Sequence, residues 1–78
     1  MKKILIINGP NLNFLGIREP AIYGKGTYSN LVDLLNSAAK ERNFDIEIFQ
    51  SNHEGCIVDK IQEAYHKFDG IIINPAAY

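Results

Sequence analysis

Three short apolar runs, separated by two helix-like segments, constrain the fold of this chain more than any other sequence feature. The runs cover residues 4–7, 46–49 and 71–73. The first and third are continuous, as expected of strands covered on both faces, whereas the second alternates apolar and polar residues, as expected of an edge strand. The order strand–helix–strand–helix–strand predicts an α/β fold with a parallel sheet and right-handed crossovers.

The two segments between the runs carry apolar residues at helical spacing. These residues are Leu31, Leu34, Leu35, Ala38 and Ala39 in the first segment, and Ile57, Ile61, Ala64, Tyr65 and Phe68 in the second. Thr27 or Ser29 is a candidate N-cap for the first helix, and Asn43 suits the left-handed residue that ends it. Asn52 lies near the start of the second helix, and the Asp-Gly pair at 69–70 is expected to end it.

The length of 78 residues allows one domain at most, which would bury only about 60% of its unfolded surface. The third run is the most apolar, so we expect it to be a central strand, covered by further elements. Because the chain ends at Tyr78, soon after this run, we expect it to be a single incomplete domain, the first part of a longer protein.

Composition excludes several classes of partner. The net charge is -1 and the eight basic residues are scattered, so we expect neither nucleic acid nor an anionic membrane surface as a partner. No apolar stretch approaches the ~20 residues of a membrane helix. The single cysteine, Cys56, cannot form an internal disulfide and fits a reducing compartment. We therefore predict a soluble, cytoplasmic protein.

The connection between the first strand and the first helix is unusually long. Residues 8–26 separate them, where roughly 2–6 residues are usual. Long loops at the carboxyl ends of parallel strands are where such folds bind ligands. We expect an active-site loop here, with residues 14–26 forming a lid.

Polar residues in this loop and after the third strand are the candidates for chemistry. They are Asn8, Asn11, Asn13, Arg18, Glu19, Tyr23 and Asn74. With the strands in the order 2-1-3, the ends of the first and third strands adjoin, so Asn74 is expected near Asn8–Asn13. The alternative is that each Asn merely serves a turn.

Motifs for nucleotide binding and metal binding are absent from the sequence. It contains no Gly-rich phosphate loop, no Walker A motif and no nucleophile elbow. His53 and Cys56 provide only two potential metal ligands, so we expect no metal site. Instead of metal binding, we expect His53 to start a helix and Cys56 to be a small buried thiol.

Four linked motifs resemble type II 3-dehydroquinate dehydratase in order and spacing. They are INGPNLNFLG at 7–16, REPAIYG at 18–24, QSNHEG at 50–55 and INPAAY at 73–78. The resemblance runs essentially from end to end and implies a flavodoxin-like fold. It also implies that this chain corresponds to the first half of a family member.

The resemblance implies an activity and a set of site residues. Members of this family dehydrate 3-dehydroquinate to 3-dehydroshikimate through an enolate, without a cofactor or metal. Tyr23 resembles the base that removes a proton from carbon 2, and Arg18 the residue that stabilises its phenolate. Asn11 resembles the asparagine that positions the water or the enolate oxygen, and Asn74 resembles a substrate-binding asparagine.

The chain also departs from the family pattern. Many members carry glycine where Ala76 stands. The general-acid histidine and further substrate contacts lie beyond Tyr78, so the resemblance implies that residues 1–78 alone are inactive. Intact members assemble as trimers and homododecamers. The alternative hypothesis is a non-catalytic flavodoxin-like remnant that serves as an interaction module.

Overall fold

The structure, a computed structural model, describes residues 1–14 and 26–78. Its elements are β1 (Lys2–Asn8), a 3-10 turn (Leu12–Phe14), α1 (Tyr28–Glu41), β2 (Phe44–Gln50), α2 (Glu54–Glu63) and β3 (Gly70–Asn74). All three predicted strands and both predicted helices are present. Of the predicted lid, only its two end residues, Phe14 and Gly26, lie within the described residues.

The three strands form one parallel sheet in the order β2-β1-β3. This order confirms the predicted 2-1-3 arrangement and places the alternating strand β2 at an edge. The register sets Ile4 opposite Ile46 and Gly70, and it sets Asn8 opposite Gln50 and Asn74. All three strands therefore end in the same lateral row.

The two faces of the sheet are covered by different helices. Leu5 and Ile7 are fully buried and form a core with Ile57 and Ala64, which come from α2 and its C-cap. Ile6, which points to the opposite face as its position in the strand requires, lies beside residues of α1. The result is a helix–sheet–helix sandwich around β1.

Strand β3 is paired on one side only within the described residues. Its hydrogen-bonding partner is β1, and Ile71, Ile72 and Ile73 are 42%, 55% and 42% exposed. β3 is therefore the second edge of the described sheet, as the predicted order 2-1-3 requires, and its coverage by further elements of a longer protein stays a prediction. An aliphatic edge of this kind favours further pairing.

Both ends of α1 follow the sequence prediction. Thr27, and not Ser29, is the N-cap: the Asn30 amide donates to Thr27 Oγ1 at 3.1 Å, and the Thr27 amide donates to Asn30 Oδ1 at 3.0 Å. This reciprocal pair satisfies two amides that the helix itself leaves without acceptors. Asn43 has a φ of 60°, in the left-handed region, where asparagine is tolerated better than most residues.

Helix α2 ends earlier than predicted. Its last residue is Glu63, and a turn with His66 at a φ of 62° replaces the expected helical run to 69–70. Tyr65 is consequently 76% exposed and does not join the apolar face. The amide of Phe68 still reaches the carbonyl of Ala64 at 3.3 Å, so the turn returns Phe68 to the core.

The beginning of α2 also differs from expectation. His53 is its N-cap residue, as the helix-start interpretation predicted, but its side chain makes no capping hydrogen bond. Asn52 does not cap the helix and instead hydrogen-bonds to the loop after β1. Cys56 is exposed, so its interpretation as a buried thiol is wrong. It lies in the first turn of α2, whose buried residue is Ile57.

Polar contacts at the other end of the sheet fix the register of β3. The Lys3 amide donates to Asp69 Oδ2 at 2.7 Å, and the Asp69 amide donates to the Lys3 carbonyl at 2.7 Å. Lys60 on α2 forms an ion pair with Glu47 on β2, and its hydrogen bond to that carboxylate raises the pKa of Lys60.

None of the helices in residues 1–14 and 26–78 has the length and apolar character of a membrane-spanning segment.

Candidate functional site

The carboxyl ends of the three strands form the floor of the candidate site. Asn8, Gln50 and Asn74 lie side by side in the register of the sheet. Each strand therefore ends in a residue with a side-chain amide at the edge where parallel sheets bind ligands. This row is the direct consequence of the strand order 2-1-3.

Asn8 is the fully buried polar residue at the centre of this row. Its Oδ1 accepts a hydrogen bond from Asn74 Nδ2 at 2.8 Å, and its Nδ2 donates to the Tyr28 hydroxyl at 3.4 Å. The predicted proximity of Asn74 to the loop after β1 is confirmed. Asn74 Nδ2 thus gives one of its two hydrogens to Asn8, and its Oδ1 accepts no hydrogen bond from residues 1–14 or 26–78.

Tyr28 was missed as a site residue in the sequence. It is the first residue of α1, and the sequence pattern offered only its position beside the N-cap as a signal. Its hydroxyl reaches Asn8 because α1 starts above the end of β1. A tyrosine hydroxyl thus borders the Asn8–Asn74 pair.

Gly9 allows the loops after β1 and β3 to touch. Its amide donates to the Asn74 carbonyl at 2.8 Å. A Cβ on Gly9 would lie 2.6 Å from the Pro75 carbonyl oxygen and 3.0 Å from that of Asn74. Glycine is therefore required here by close backbone approach, which brings the INGPN and INPAA segments together.

Asn11 lies at the outer end of the same loop with a φ of 69°. Its backbone amide donates to Asn52 Oδ1 at 2.9 Å, and its carbonyl accepts from the Phe14 amide at 2.9 Å. Its side-chain amide makes no hydrogen bond to any residue in 1–14 or 26–78. The backbone of Asn11 is thus held by hydrogen bonds, whereas its side chain has no hydrogen-bond partner in the described ranges.

Gln50 connects the end of β2 to this loop. Its Nε2 lies 3.1 Å from the Gly9 carbonyl oxygen, 3.3 Å from Asn13 Oδ1 and 3.1 Å from Asn52 Oδ1. Sequence reasoning did not assign Gln50 to the site and placed Asn52 at a helix start. The available signal was that Gln50 ends β2 and Asn52 lies two residues later, at the same edge of the sheet as Asn8.

The segment after β3 closes the site from the third side. Ala76 has a φ of 53°, and the Tyr78 amide donates to the Pro75 carbonyl at 3.0 Å, forming a turn. The Tyr78 hydroxyl donates to the backbone carbonyl of Asn52 at 2.7 Å. All three loops are therefore joined by hydrogen bonds in the described structure.

The chemistry offered by these groups is hydrogen bonding by neutral amides and hydroxyls. Such groups can bind a ligand rich in hydroxyl or carbonyl oxygens and can stabilise a developing enolate oxygen. Arg18 and Tyr23, the predicted charged partner and base, belong to residues 15–25 and lie outside the described residues. Within the described ranges, no three His, Cys, Asp or Glu side chains are grouped as a metal site would require.

Comparison with known families shows the family to which this chain belongs. Residues 2–78 match the family described as Dehydroquinase class II. This chain belongs to the class II dehydroquinase family. The matched residues include all four motifs, so the predicted resemblance is confirmed.

Relatives of this class II dehydroquinase chain include two bacterial proteins named 3-dehydroquinate dehydratase. The protein from Lachnospira eligens is 60% identical over 77 residues, which cover 97% of this chain and 52% of that protein. The protein from Endomicrobium trichonymphae is 62% identical, with coverages of 99% and 54%. The chain thus spans about half the length of these relatives.

Solved structures support the same membership. The type II dehydroquinase from Butyrivibrio crossotus superposes with a TM-score of 0.94 and is 62% identical in sequence. The match covers 99% of this chain and 54% of that protein. The enzyme from Propionibacterium acnes superposes at 0.90 with 40% identity, and the chain spans 53% of it. The flavodoxin-like fold with strand order 2-1-3 is therefore confirmed for this portion.

Replacing Ala76 with glycine is expected to stabilise this dehydroquinase chain. The left-handed φ of 53° costs an L-residue roughly 1–2 kcal/mol, whereas the added backbone freedom of glycine costs about 0.5–1 kcal/mol. The expected net gain in the free energy of unfolding is roughly 0.5–1 kcal/mol, measured by urea denaturation. Ala38→Gly in α1 is the matched control and should lower it instead; a loss at both positions would contradict the strain argument.

Proposed function

We propose that this chain supplies the amino-terminal half of a type II 3-dehydroquinate dehydratase. The intact protein would convert 3-dehydroquinate to 3-dehydroshikimate by loss of water, in the shikimate pathway of aromatic biosynthesis. The observation that carries this proposal is a set of hydrogen bonds at the carboxyl edge of the sheet of a class II dehydroquinase chain. They join Asn74 to Asn8, and the amide of Asn11 to the loop after β2. Relatives named 3-dehydroquinate dehydratase share about 60% of its residues.

The first step we assign to Tyr23 and Arg18. The Tyr23 phenolate would remove a proton from carbon 2, which is acidified by the adjacent ketone, and an enolate would form. A phenol has an ordinary pKa near 10, so only about one in a thousand is ionised at pH 7. The Arg18 guanidinium would favour the phenolate, and each unit by which it lowers the pKa of Tyr23 is worth ~1.4 kcal/mol.

Asn11 and Asn74 we assign to the developing charge and to substrate binding. The Asn11 side-chain amide, which has no partner among the described residues, would donate to the enolate oxygen or to a water beside it. Asn74 would bind a substrate hydroxyl through Oδ1 or the second hydrogen of Nδ2, with its side chain held in place by the hydrogen bond to Asn8. Preorganised dipoles of this kind need no rearrangement when charge develops.

The remaining steps rely on the half of the enzyme that this chain does not contain. Loss of the hydroxyl requires a general acid, which the family resemblance assigns to a histidine beyond Tyr78. Collapse of the enolate would form the new carbon–carbon double bond and break the bond to the hydroxyl, which leaves as water with the proton of this acid, so the proposed mechanism uses neither a metal nor a cofactor. We further propose a cytoplasmic location, a lid formed by residues 14–26 and, for the intact protein, a homododecamer built from trimers.

Activity of a completed chain tests this proposal. Residues 1–78 are joined to the remaining half of the Butyrivibrio crossotus dehydroquinase, hereafter the joined enzyme. We expect it to convert 3-dehydroquinate to the conjugated enone product, followed by ultraviolet absorbance, while residues 1–78 alone do not. A joined enzyme that unfolds cooperatively but shows no turnover would overturn the proposal.

An interaction module is the second candidate, and the exposed β3 edge favours it. Ile71, Ile72 and Ile73 present aliphatic surface that a partner strand could cover. The same experiment separates the two hypotheses, because an interaction module predicts a folded, inactive joined enzyme.

A further inference from the structure

We propose that Gln50 and Asn52 are positioning residues, which hold the backbone of Asn11 so that its side-chain amide faces the ligand. This inference rests on the proposed function, since it assigns a purpose to the fixed position of Asn11. It adds the last residue of β2, Gln50, and a residue of the following loop, Asn52, to a site whose proposed reacting groups come from the loop after β1.

The described part of the loop that carries Asn11, residues 9–14, has little apolar packing to hold it. None of the residues in its 3-10 turn, Leu12–Phe14, is buried. Asn11 itself is exposed and has a left-handed φ of 69°, which is less favourable than the right-handed regions even for asparagine. Polar contacts must therefore supply most of the restraint on this loop.

Gln50 provides the donors of this restraint. Its Nε2 carries two hydrogens and faces three oxygens, those of the Gly9 carbonyl, Asn13 and Asn52, all within 3.3 Å. One hydrogen must be shared between two acceptors. All the contacts of its side chain to described residues use the nitrogen, so Gln50 acts here purely as a donor.

Asn52 provides the acceptor. Its Oδ1 receives the Asn11 amide at 2.9 Å and Gln50 Nε2 at 3.1 Å, and its backbone carbonyl receives the Tyr78 hydroxyl at 2.7 Å. Its own Nδ2 donates to no residue in the described ranges. Asn52 therefore acts purely as an acceptor and joins the Asn11 loop to the loop after β3.

The opposite polarity of these two side chains allows a matched test. Gln50→Glu and Asn52→Asp each replace one amide by a carboxylate of nearly the same shape and add one negative charge. In Gln50→Glu, the side chain would lose both N–H donors. Its negative carboxylate would face the three oxygens that accept hydrogen bonds from Gln50 Nε2. The aspartate would keep its acceptor oxygen and strengthen the bond from the Asn11 amide, because hydrogen bonds to an ionised acceptor are stronger.

The experiment uses the joined enzyme and measures kcat and KM for 3-dehydroquinate. We expect Gln50→Glu and Asn52→Ala to lower kcat by roughly tenfold to a hundredfold with a smaller change in KM, as misplacement of a reacting group does. Asn52→Asp should restore most of the activity that Asn52→Ala loses. Gln62→Glu, an exposed change on α2, controls for the added charge.

A second measurement reports on geometry alone. Hydrogen exchange of the Asn11 amide, followed by nuclear magnetic resonance, should accelerate in Gln50→Glu and Asn52→Ala and stay slow in Asn52→Asp. Urea unfolding of each variant shows how much of any loss comes from global stability. A structural effect alone would reduce the folded fraction without lowering kcat per folded molecule.

Three outcomes would overturn the inference. They are equal losses in Gln50→Glu and Asn52→Asp, full activity in Gln50→Glu, and unchanged exchange of the Asn11 amide in Asn52→Ala. An inactive parent enzyme would instead contradict the proposed function. In that case the exchange of the Asn11 amide still decides whether Gln50 and Asn52 hold the loop.

Discussion

Replacing Tyr23 with phenylalanine in the joined enzyme is expected to lower kcat for 3-dehydroquinate by roughly 10²- to 10⁴-fold, the range that a general base contributes. The substitution removes a single oxygen and keeps the size and shape of the side chain. The proton on carbon 2 would then have no positioned base, whereas the asparagine amides proposed to bind the substrate would remain. The measurement is the steady-state rate, with KM expected to change much less.

The pH profile makes this test specific. The rate of the parent enzyme should rise with pH while the phenolate fraction of Tyr23 increases, and this rising limb should vanish in Tyr23→Phe. Tyr65→Phe is the matched control because Tyr65 is 76% exposed and lies on the turn after α2. Retention of wild-type turnover by Tyr23→Phe would refute the assignment of this residue as the base.

Replacing Gly9 with alanine is expected to have the largest effect on stability. The added methyl group would lie 2.6 Å from the carbonyl oxygen and 2.9 Å from the carbonyl carbon of Pro75. These are backbone atoms, so they cannot rotate away as a side chain would, and the loops after β1 and β3 would have to separate. The hydrogen bond from the Gly9 amide to the Asn74 carbonyl would lengthen as a result.

We expect Gly9→Ala to lower the free energy of unfolding by roughly 2–3 kcal/mol, near the upper part of the range for overpacked sites. Urea denaturation of the joined enzyme measures this change. Gly55→Ala is the matched control: a Cβ there meets no atom within 4 Å, and alanine favours the first turn of α2. Equal stability of Gly9→Ala and the parent protein would show that the close approach of the two loops is not required.

The predictions that succeeded rest on patterns local to a few residues. Continuous and alternating apolar runs marked the strands, helical spacing marked α1, and Asn43 marked its end. The position of the alternating run at a sheet edge also followed, because alternation implies one wet face. Each of these features depends on backbone periodicity and on the conformational preference of single residues.

The predictions that failed required contacts that such patterns do not encode. The apolar pattern continued through Tyr65 to Phe68, yet α2 stops at Glu63 because a turn at His66 already returns Phe68 to the core. Asn52 was expected near a helix start, but its Oδ1 found the Asn11 amide, 41 residues away in the chain. Hydrogen-bond partners at such separations depend on how whole elements pack.

The sequence by itself determined the three strands, the helices between them and the family to which the chain belongs. Only the tertiary structure decided that Asn74 donates to Asn8 across 66 residues, that Gly9 must lack a side chain, and that Gln50 and Asn52 hold the loop of Asn11. The physical reason is that periodicity is a property of neighbouring residues. Which side-chain amides lie close together is set instead by the register of the three strands. That register depends on how the strands pair across the sheet.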